Sequence, residues 1–346
     1  MKTWTTWLAV GVLLATLEVS PLAHAQAPEQ RNVTIAVGGK AALYYLPLTL
    51  AERLGYFKDA GLEVQILDFA GGAKALQAMM GGSADVVSGG FDHVIVLRAR
   101  GQKLKSFVLQ VATPSLALGV AKARGASYRS PKDLKGLNVG VTAPGSSTHI
   151  FLNYLLDGAG LSPDDVSVIG VGTGPTAVAA MRAGNIDAIV NVEPAITLLE
   201  RSGSIVVVTE TMSEKGARAV FGELLPAGSF YTKEEFIKRN PNTVQALTTA
   251  MVRALIWLDK ASTEQILQTV PVEYTLGQRD IYVAALARQR QGFSRNGIIP
   301  PAGAAALLRV LRKFDPAVQA APDLDITQAY DNRFVEKALA TMAPPK

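Results

Sequence analysis

Apolar positions along the chain switch between two spacings. Runs in which they are contiguous or alternate mark strands, and runs in which they fall three and four apart mark helices. Asn32 to Gly38 (NVTIAVG) reads as a strand closed by glycine, Leu46 to Leu54 as a helix, and Leu62 to Asp68 as a strand. Ala73 to Met80 follows as a helix and Ala84 to Ser88 as a third strand. The series then recurs: a strand at Asn138 (NVGV), a helix from Thr148 to Leu156, a strand from Val166 to Val171, a helix from Pro175 to Ala183, and a strand from Ala188 to Val190. A gapless offset of 102 residues maps Val37 onto Val139, Gly38 onto Gly140, Ile66 onto Val168, Met79 onto Met181, Gly82 onto Gly184 and Asp85 onto Asp187. Any two β-α-β units share apolar strands and helices of similar length. The G-x-x-D that precedes each third strand sets this pair apart from that generic likeness, and it assigns Asp85 and Asp187 to the turn that enters the strand.

The pattern predicts an α/β protein of two lobes, each a small, mostly parallel sheet flanked by helices, with a helical C-terminal tail. Strand-like runs Leu104 to Val111 and Leu116 to Ala121, around Thr113-Pro114-Ser115, carry the chain to the second lobe. Ala227-Gly228-Ser229-Phe230-Tyr231 carries it back. Residues 26–113 then form the first part of lobe one, 114–226 lobe two, and 227–346 the return to lobe one with the C-terminal helices. Two passages make a hinge rather than a free linker. Beyond Lys233 the pattern is helical at Thr243 to Lys260, Thr263 to Val270, Arg279 to Gln291 and Ala302 to Phe314, a tail expected to wrap back onto lobe one. Pro241 suits the first turn of the longest helix, where a missing N–H costs nothing.

Composition narrows the function. The 346 residues include no cysteine, which excludes a disulfide scaffold, a thiolate metal site and a cysteine nucleophile. Hydrophobic residues at 49% and charged residues at 18% describe a globular chain, and the length favours two cores over one. The 34 Lys and Arg against 29 Asp and Glu give a net charge of +5, but they are scattered. With no basic run or aromatic-interleaved stripe to track phosphates, no nucleic-acid partner is expected. At the N-terminus, Lys2 precedes an apolar run from Trp7 to Leu17 and then Pro21-Leu22-Ala23-His24-Ala25, an A-x-A pattern. This reads as a signal peptide over residues 1–25, cleaved near Ala25, because the uncharged stretch falls short of the roughly 20 residues a membrane span needs. The mature chain is expected free in a periplasmic space, as a monomer.

In open α/β sheets, ligands bind beyond the carboxyl ends of the strands, so the residues after each strand are the candidates. In lobe one these are Tyr44 and Tyr45, Gly71 and Gly72, and Ser88, Gly89 and Phe91. In lobe two they are Ser146, Ser147 and Thr148, then Thr173, then Asn191 and Glu193. Ser146 to Thr148 open a helix, where free N–H groups and the dipole suit an anionic group, although serine also serves there as an ordinary cap. Tyr44, Tyr45, Phe69 and Phe91 can clasp a planar or apolar body, with only one or two expected to reach it. Asp92 and Glu193 can meet a cationic group, against the plainer alternative of a solvated or Arg-paired carboxylate. The ligand expected from these loops is a small organic molecule with an anionic or strongly polar end at Ser146 to Thr148 and an apolar or aromatic body.

Enzyme signatures are missing from the sequence: there is no G-x-S-x-G, no H-E-x-x-H and no G-x-x-x-x-G-K-[ST]. His93 and His149 fall in different halves, so a histidine metal centre needs both lobes closed and carboxylates added. No catalytic residue, metal or cofactor is expected. His149 beside Ser146 or Ser147 is a conceivable general base, but residues this close on one helix start usually serve capping.

Several short motifs carry a family resemblance. Pro47-Leu48-Thr49-Leu50-Ala51, Gly55-Tyr56-Phe57, Gly61-Leu62-Glu63-Val64 with Gly71-Gly72, and Gly82-Ser83-Ala84-Asp85 stand in lobe one. Asp133-Leu134-Lys135-Gly136, the helix start at 145–148, and Ala183-Gly184-Asn185-Ile186-Asp187-Ala188 stand in lobe two. Together with the signal peptide they resemble periplasmic solute-binding proteins of ABC importers, in the branch of sulfonate, taurine, nitrate and thiamine-pyrimidine binders. The resemblance implies the two-lobed periplasmic binding protein fold, a small-molecule solute, and delivery to ABC permease transmembrane subunits with their cytoplasmic ATPase. It also implies two alternatives. The family's pyrimidine-synthesising relatives are enzymes, but they carry a cysteine-rich iron-associated segment that this chain lacks. A periplasmic ligand sensor shares the fold, and neighbouring genes for a permease or for a histidine kinase would separate the two roles.

Overall fold

A computed structural model describes residues 27–275 and 277–342. The expected signal peptide therefore lies outside the described residues. Strands β1 (Asn32–Val37), β2 (Glu63–Asp68), β3 (Val86–Gly90), β4 (Leu104–Leu109) and β10 (Gly228–Lys233) form one sheet in the order β2-β1-β3-β10-β4. Strands β5 (Ala117–Ala121), β6 (Asn138–Val141), β7 (Ser167–Gly170), β8 (Ala188–Asn191) and β9 (Ile205–Glu210) form the other in the order β7-β6-β8-β5-β9. The first three strands in each order are parallel, as β-α-β crossovers demand. The two antiparallel insertions are β5, the first strand after the chain leaves lobe one, and β10, the first after it returns. Each passage thus ends in a strand wedged between two others. The two-lobed α/β architecture expected from the pattern is present.

The internal repeat needs one correction. Ile35 pairs with both Ile66 and Val86, and Val139 pairs with both Val168 and Ala188. The second and third strands of each lobe keep the 102-residue offset, whereas the first strands correspond two residues further on, Ile35 with Val139. A two-residue slip leaves every side chain on its original face, because the strand period is two. Hydrophobic pattern alone is blind to it. The aspartates reveal the true register. The Asp85 carboxylate accepts from the Thr34 N–H at 2.8 Å while the Asp85 N–H donates to the Thr34 carbonyl at 2.9 Å. Asp187 repeats both bonds with Asn138, at 3.0 and 2.8 Å.

The tail differs from expectation. Helix Pro241–Lys260 buries Val244, Leu247, Met251, Leu255 and Leu258, a single stripe, against the helices Leu46–Arg53 and Arg333–Met342 on lobe one. Helix Arg279–Gln289, however, packs on Ala195–Arg201, and helix Pro301–Phe314 packs on Ser147–Gly158, both in lobe two. Arg288 anchors the first of these to Glu200 at 2.7 Å. The tail therefore spans both lobes instead of wrapping only onto the first. Helix Phe91–Ala99 buries Phe91, His93, Val94, Ile95 and Val96 and so has no polar face for a period to show. Among the described residues no helix is long and apolar enough to cross a membrane.

Replacing Asp85 or Asp187 with alanine leaves a strand N–H without its acceptor. Asp85→Ala, whose bond is partly buried, is expected to lose about 1–3 kcal/mol of unfolding free energy and Asp187→Ala less, because water reaches the exposed Asn138 N–H, both measured by chemical denaturation. The Arg124–Asp187 pair, on an arginine 48% exposed, adds little to that loss.

Candidate functional site

The strand carboxyl ends of the two sheets face each other, and the loops that follow them touch. The Ser147 hydroxyl donates to Asp92 Oδ1 at 2.9 Å, Ser146 Oγ accepts from the Ala73 N–H at 2.9 Å, and the Leu43 N–H donates to the Glu193 carbonyl at 2.9 Å. Glycines make this approach possible. A Cβ on Gly90 would overlap both the Asp92 carboxylate and the Ser147 hydroxyl, and one on Gly39 would overlap the Thr173 hydroxyl.

Two small chambers remain between the lobes. A polar chamber of about 30 Å³ is walled by Tyr44, Tyr45, His93, Thr142, Thr173 and the helix start Ser146 to Thr148. An apolar chamber of about 50 Å³ lies beside it, walled by Ile150, Phe151, Tyr154, Phe221, Leu307 and Phe314, with Asp92 as its one charged group. Tyr44, Leu116 and Ser147 belong to both. His93 also lines a larger cavity of about 610 Å³, shared with His149 and Asn153.

Seven of the expected residues line the polar chamber: Tyr44, Tyr45, Gly72, Ser146, Ser147, Thr148 and Thr173. Six others are turned elsewhere. Ser88 lies inside the sheet, its hydroxyl accepting from Gln110 Nε2 at 2.7 Å. Gly89 backs onto Val87 and the Tyr231 ring, and Gly71 sits against Ala143 of the opposite lobe. Phe91 is fully buried and packs edge-on to Tyr330. Asn191 donates to the Gly172 carbonyl at 2.9 Å and accepts from the Val192 N–H at 2.9 Å, so it braces its own loop. Glu193 is fully buried, bound to Thr197 and 3.4 Å from Arg288. Burial pushes its carboxyl up and Arg288 opposes that shift.

Two lining residues, Leu116 and His93, lay outside the strand-end logic. Leu116 arrives at the start of an antiparallel strand, whose amino end sits where its neighbours' carboxyl ends do. His93 comes one turn into a helix, its Nδ1 3.2 Å from the Tyr231 hydroxyl. Thr142, the first residue after β6 and so within that logic, also lines the chamber, its hydroxyl 2.8 Å from that of Thr148.

Burial, joined by the charge of Asp92, raises the Tyr44 and Tyr231 phenols well above their ordinary range, so both stay protonated. His149 Nδ1 accepts from the Gly145 N–H at 2.9 Å, which turns it from the serines it was considered to activate. Among the described residues no group of three His, Cys, Asp or Glu is placed to hold a metal.

A family model described as the NMT1-like family matches residues 26–270. The chain belongs to the NMT1-like family. A solved structure from Bordetella bronchiseptica RB50 is 47% identical, covers 92% of this chain and 99% of its own, and superposes with a TM-score of 0.89. The nitrate/nitrite binding protein NrtA of Nostoc sp. strain PCC 7120 is 25% identical over 65% of this chain and 55% of its own length. The 4-amino-5-hydroxymethyl-2-methylpyrimidine phosphate synthase of Schizosaccharomyces pombe is 30% identical over 41% of this chain and 40% of its own. This chain therefore spans only about half of these two curated relatives. The two-lobed architecture of this NMT1-like chain is the periplasmic binding protein fold, which carries binding proteins and enzymes alike.

Gly90 has φ −71°, open to any residue, so only space decides what it tolerates. Gly90→Ala is expected to fold, at a cost of about 1–3 kcal/mol from overpacking, and to hold the lobes apart. Small-angle scattering should give it a larger radius of gyration than the wild type.

Proposed function

We propose that this NMT1-like protein is the extracytoplasmic solute-binding subunit of an ABC importer. It captures a small organic molecule between hinged lobes and delivers it to a membrane permease. The observation that carries this reading is the meeting of polar loops from both sheets, joined by Ser147–Asp92, Ser146–Ala73 and Leu43–Glu193. A solute held by both sets of loops binds the closed form better than the open one, and only such a difference can drive closure. The A-x-A pattern ending at Ala25, just ahead of the family match at residue 26, supports export to the periplasm.

The synthase alternative is the weaker reading. The chain has no cysteine, the chamber phenols are held protonated, and His149 faces away from Ser146 and Ser147. A sensor role uses the same closure and differs only in the membrane partner.

The test is a thermal-shift screen against a broad solute library, followed by scattering. A true ligand at about 100 times its dissociation constant adds about 2.7 kcal/mol of stability, and it should shrink the radius of gyration at saturation. A library in which nothing stabilises the protein defeats the reading. Ser147→Phe fills space common to both chambers, so it is expected to keep the fold and to lose the stabilisation by any hit, as read by calorimetric titration and melting.

A further inference from the structure

Asp92 is the charge that the rest of the site leaves without a counter-ion. Its Oδ1 accepts from the His93 N–H at 2.8 Å and from the Ser147 hydroxyl at 2.9 Å. Among the described residues, Oδ2 accepts no hydrogen bond and no lysine or arginine forms an ion pair with the carboxylate. None of the described residues lining either chamber is Lys or Arg. Of the cations near the pocket loops, Lys40 is engaged by Glu52 at 3.1 Å and Arg288 by Glu200, while Lys74 is exposed on its helix and lines neither chamber. Around Asp92 the apolar chamber presents Ile150, Phe151, Phe221 and Leu307.

A partly exposed carboxylate beside an apolar wall attracts a cation and repels a second negative charge placed next to it. The helix start at Ser147, where an anionic end was expected, is already met by this carboxylate through the Ser147 hydroxyl. The protein supplies the anion itself. We infer that Asp92 selects a small organic solute bearing a cationic nitrogen, with its apolar body in the chamber of Phe151, Phe221 and Leu307. The inference rests on the solute-binding reading above and adds to it the charge of the solute.

Matched probes test it: benzylamine against benzoate and butylamine against butyrate, titrated calorimetrically at neutral pH into wild type and Asp92→Asn. The ammonium member of a pair is expected to bind at least about tenfold tighter, and Asp92→Asn, which keeps the Oδ1 acceptor, to erase that preference. Asp92→Ser, which removes the charge while keeping an oxygen acceptor and adding no bulk, should erase it as well and serves if Asp92→Asn does not fold. A preference for the carboxylate member, or an ammonium preference that survives removal or neutralisation of the Asp92 charge, overturns the inference and leaves solute binding standing. Failure of all four probes to bind also overturns it. The solute-binding reading itself falls only if the broad library yields no stabilising compound.

Discussion

The lobes approach each other so closely that backbone meets opposing side chain with no room for a Cβ. At Gly90 that space is taken by the Asp92 carboxylate and the Ser147 hydroxyl, and at Gly39 by Thr173. Everything described at the site depends on this clearance. Without it the Ser147–Asp92 and Ser146–Ala73 hydrogen bonds cannot form, and the loops after β1, β3, β6 and β8 stay separate. The parallel arrangement of those strands supplies the other half of the requirement. It sends all their carboxyl ends, and the helix starts that follow them, toward one cleft.

The way the chain crosses between lobes constrains how they can move. Because β5 and β10 are held on both edges, each passage is anchored at its receiving sheet, and bending concentrates in the short segments between. Ser115, beside one of them, adopts φ 58°, the left-handed region that costs a non-glycine residue energy. Its hydroxyl is gripped by Gln289 at 2.7 Å, and Gly292 packs against the Thr113 and Ser115 hydroxyls too closely to carry a side chain. The tail thus braces the hinge and also packs on lobe two. In the proposed binding role, opening slides the helices Arg279–Gln289 and Pro301–Phe314 over their partners, which couples a hinge to a shear.

The polar chamber is built from hydroxyls and phenols, groups that donate or accept as the solute requires. Such a lining tolerates many solutes, and discrimination has to come from the few groups that cannot adapt. Among the described residues lining the two chambers, Asp92 is the one Asp, Glu, Lys or Arg, and the apolar wall lies beside it. Family membership therefore says less about the solute than these two features do. Relatives of this chain include a nitrate/nitrite binding protein and a pyrimidine phosphate synthase.

The sequence by itself determined the class of fold, the two lobes, the repeated strand and helix series in each, and the loops that form the cleft, but not strand Ile205–Glu210 or helices Phe91–Ala99 and Ala195–Arg201. What it determined follows from local periodicity and from the rule that parallel strands present their carboxyl ends together. Tyr44, Tyr45, Ser146, Ser147 and Thr173 were legible for that reason. The tertiary structure alone decided which neighbours on the same loops face inward. Ser88, Asn191 and Glu193 stand in the expected places, yet Gln110, Gly172 and Thr197 take their polar atoms. Leu116 and His93 reach the site through an antiparallel strand and a buried helix that no local pattern ties to the cleft. The two-residue slip of the first strand has the same cause. A strand reports which face a residue occupies, whereas register and partner are set by hydrogen bonds to residues far away in the chain, such as those from Asp85 to Thr34 and from Asp187 to Asn138.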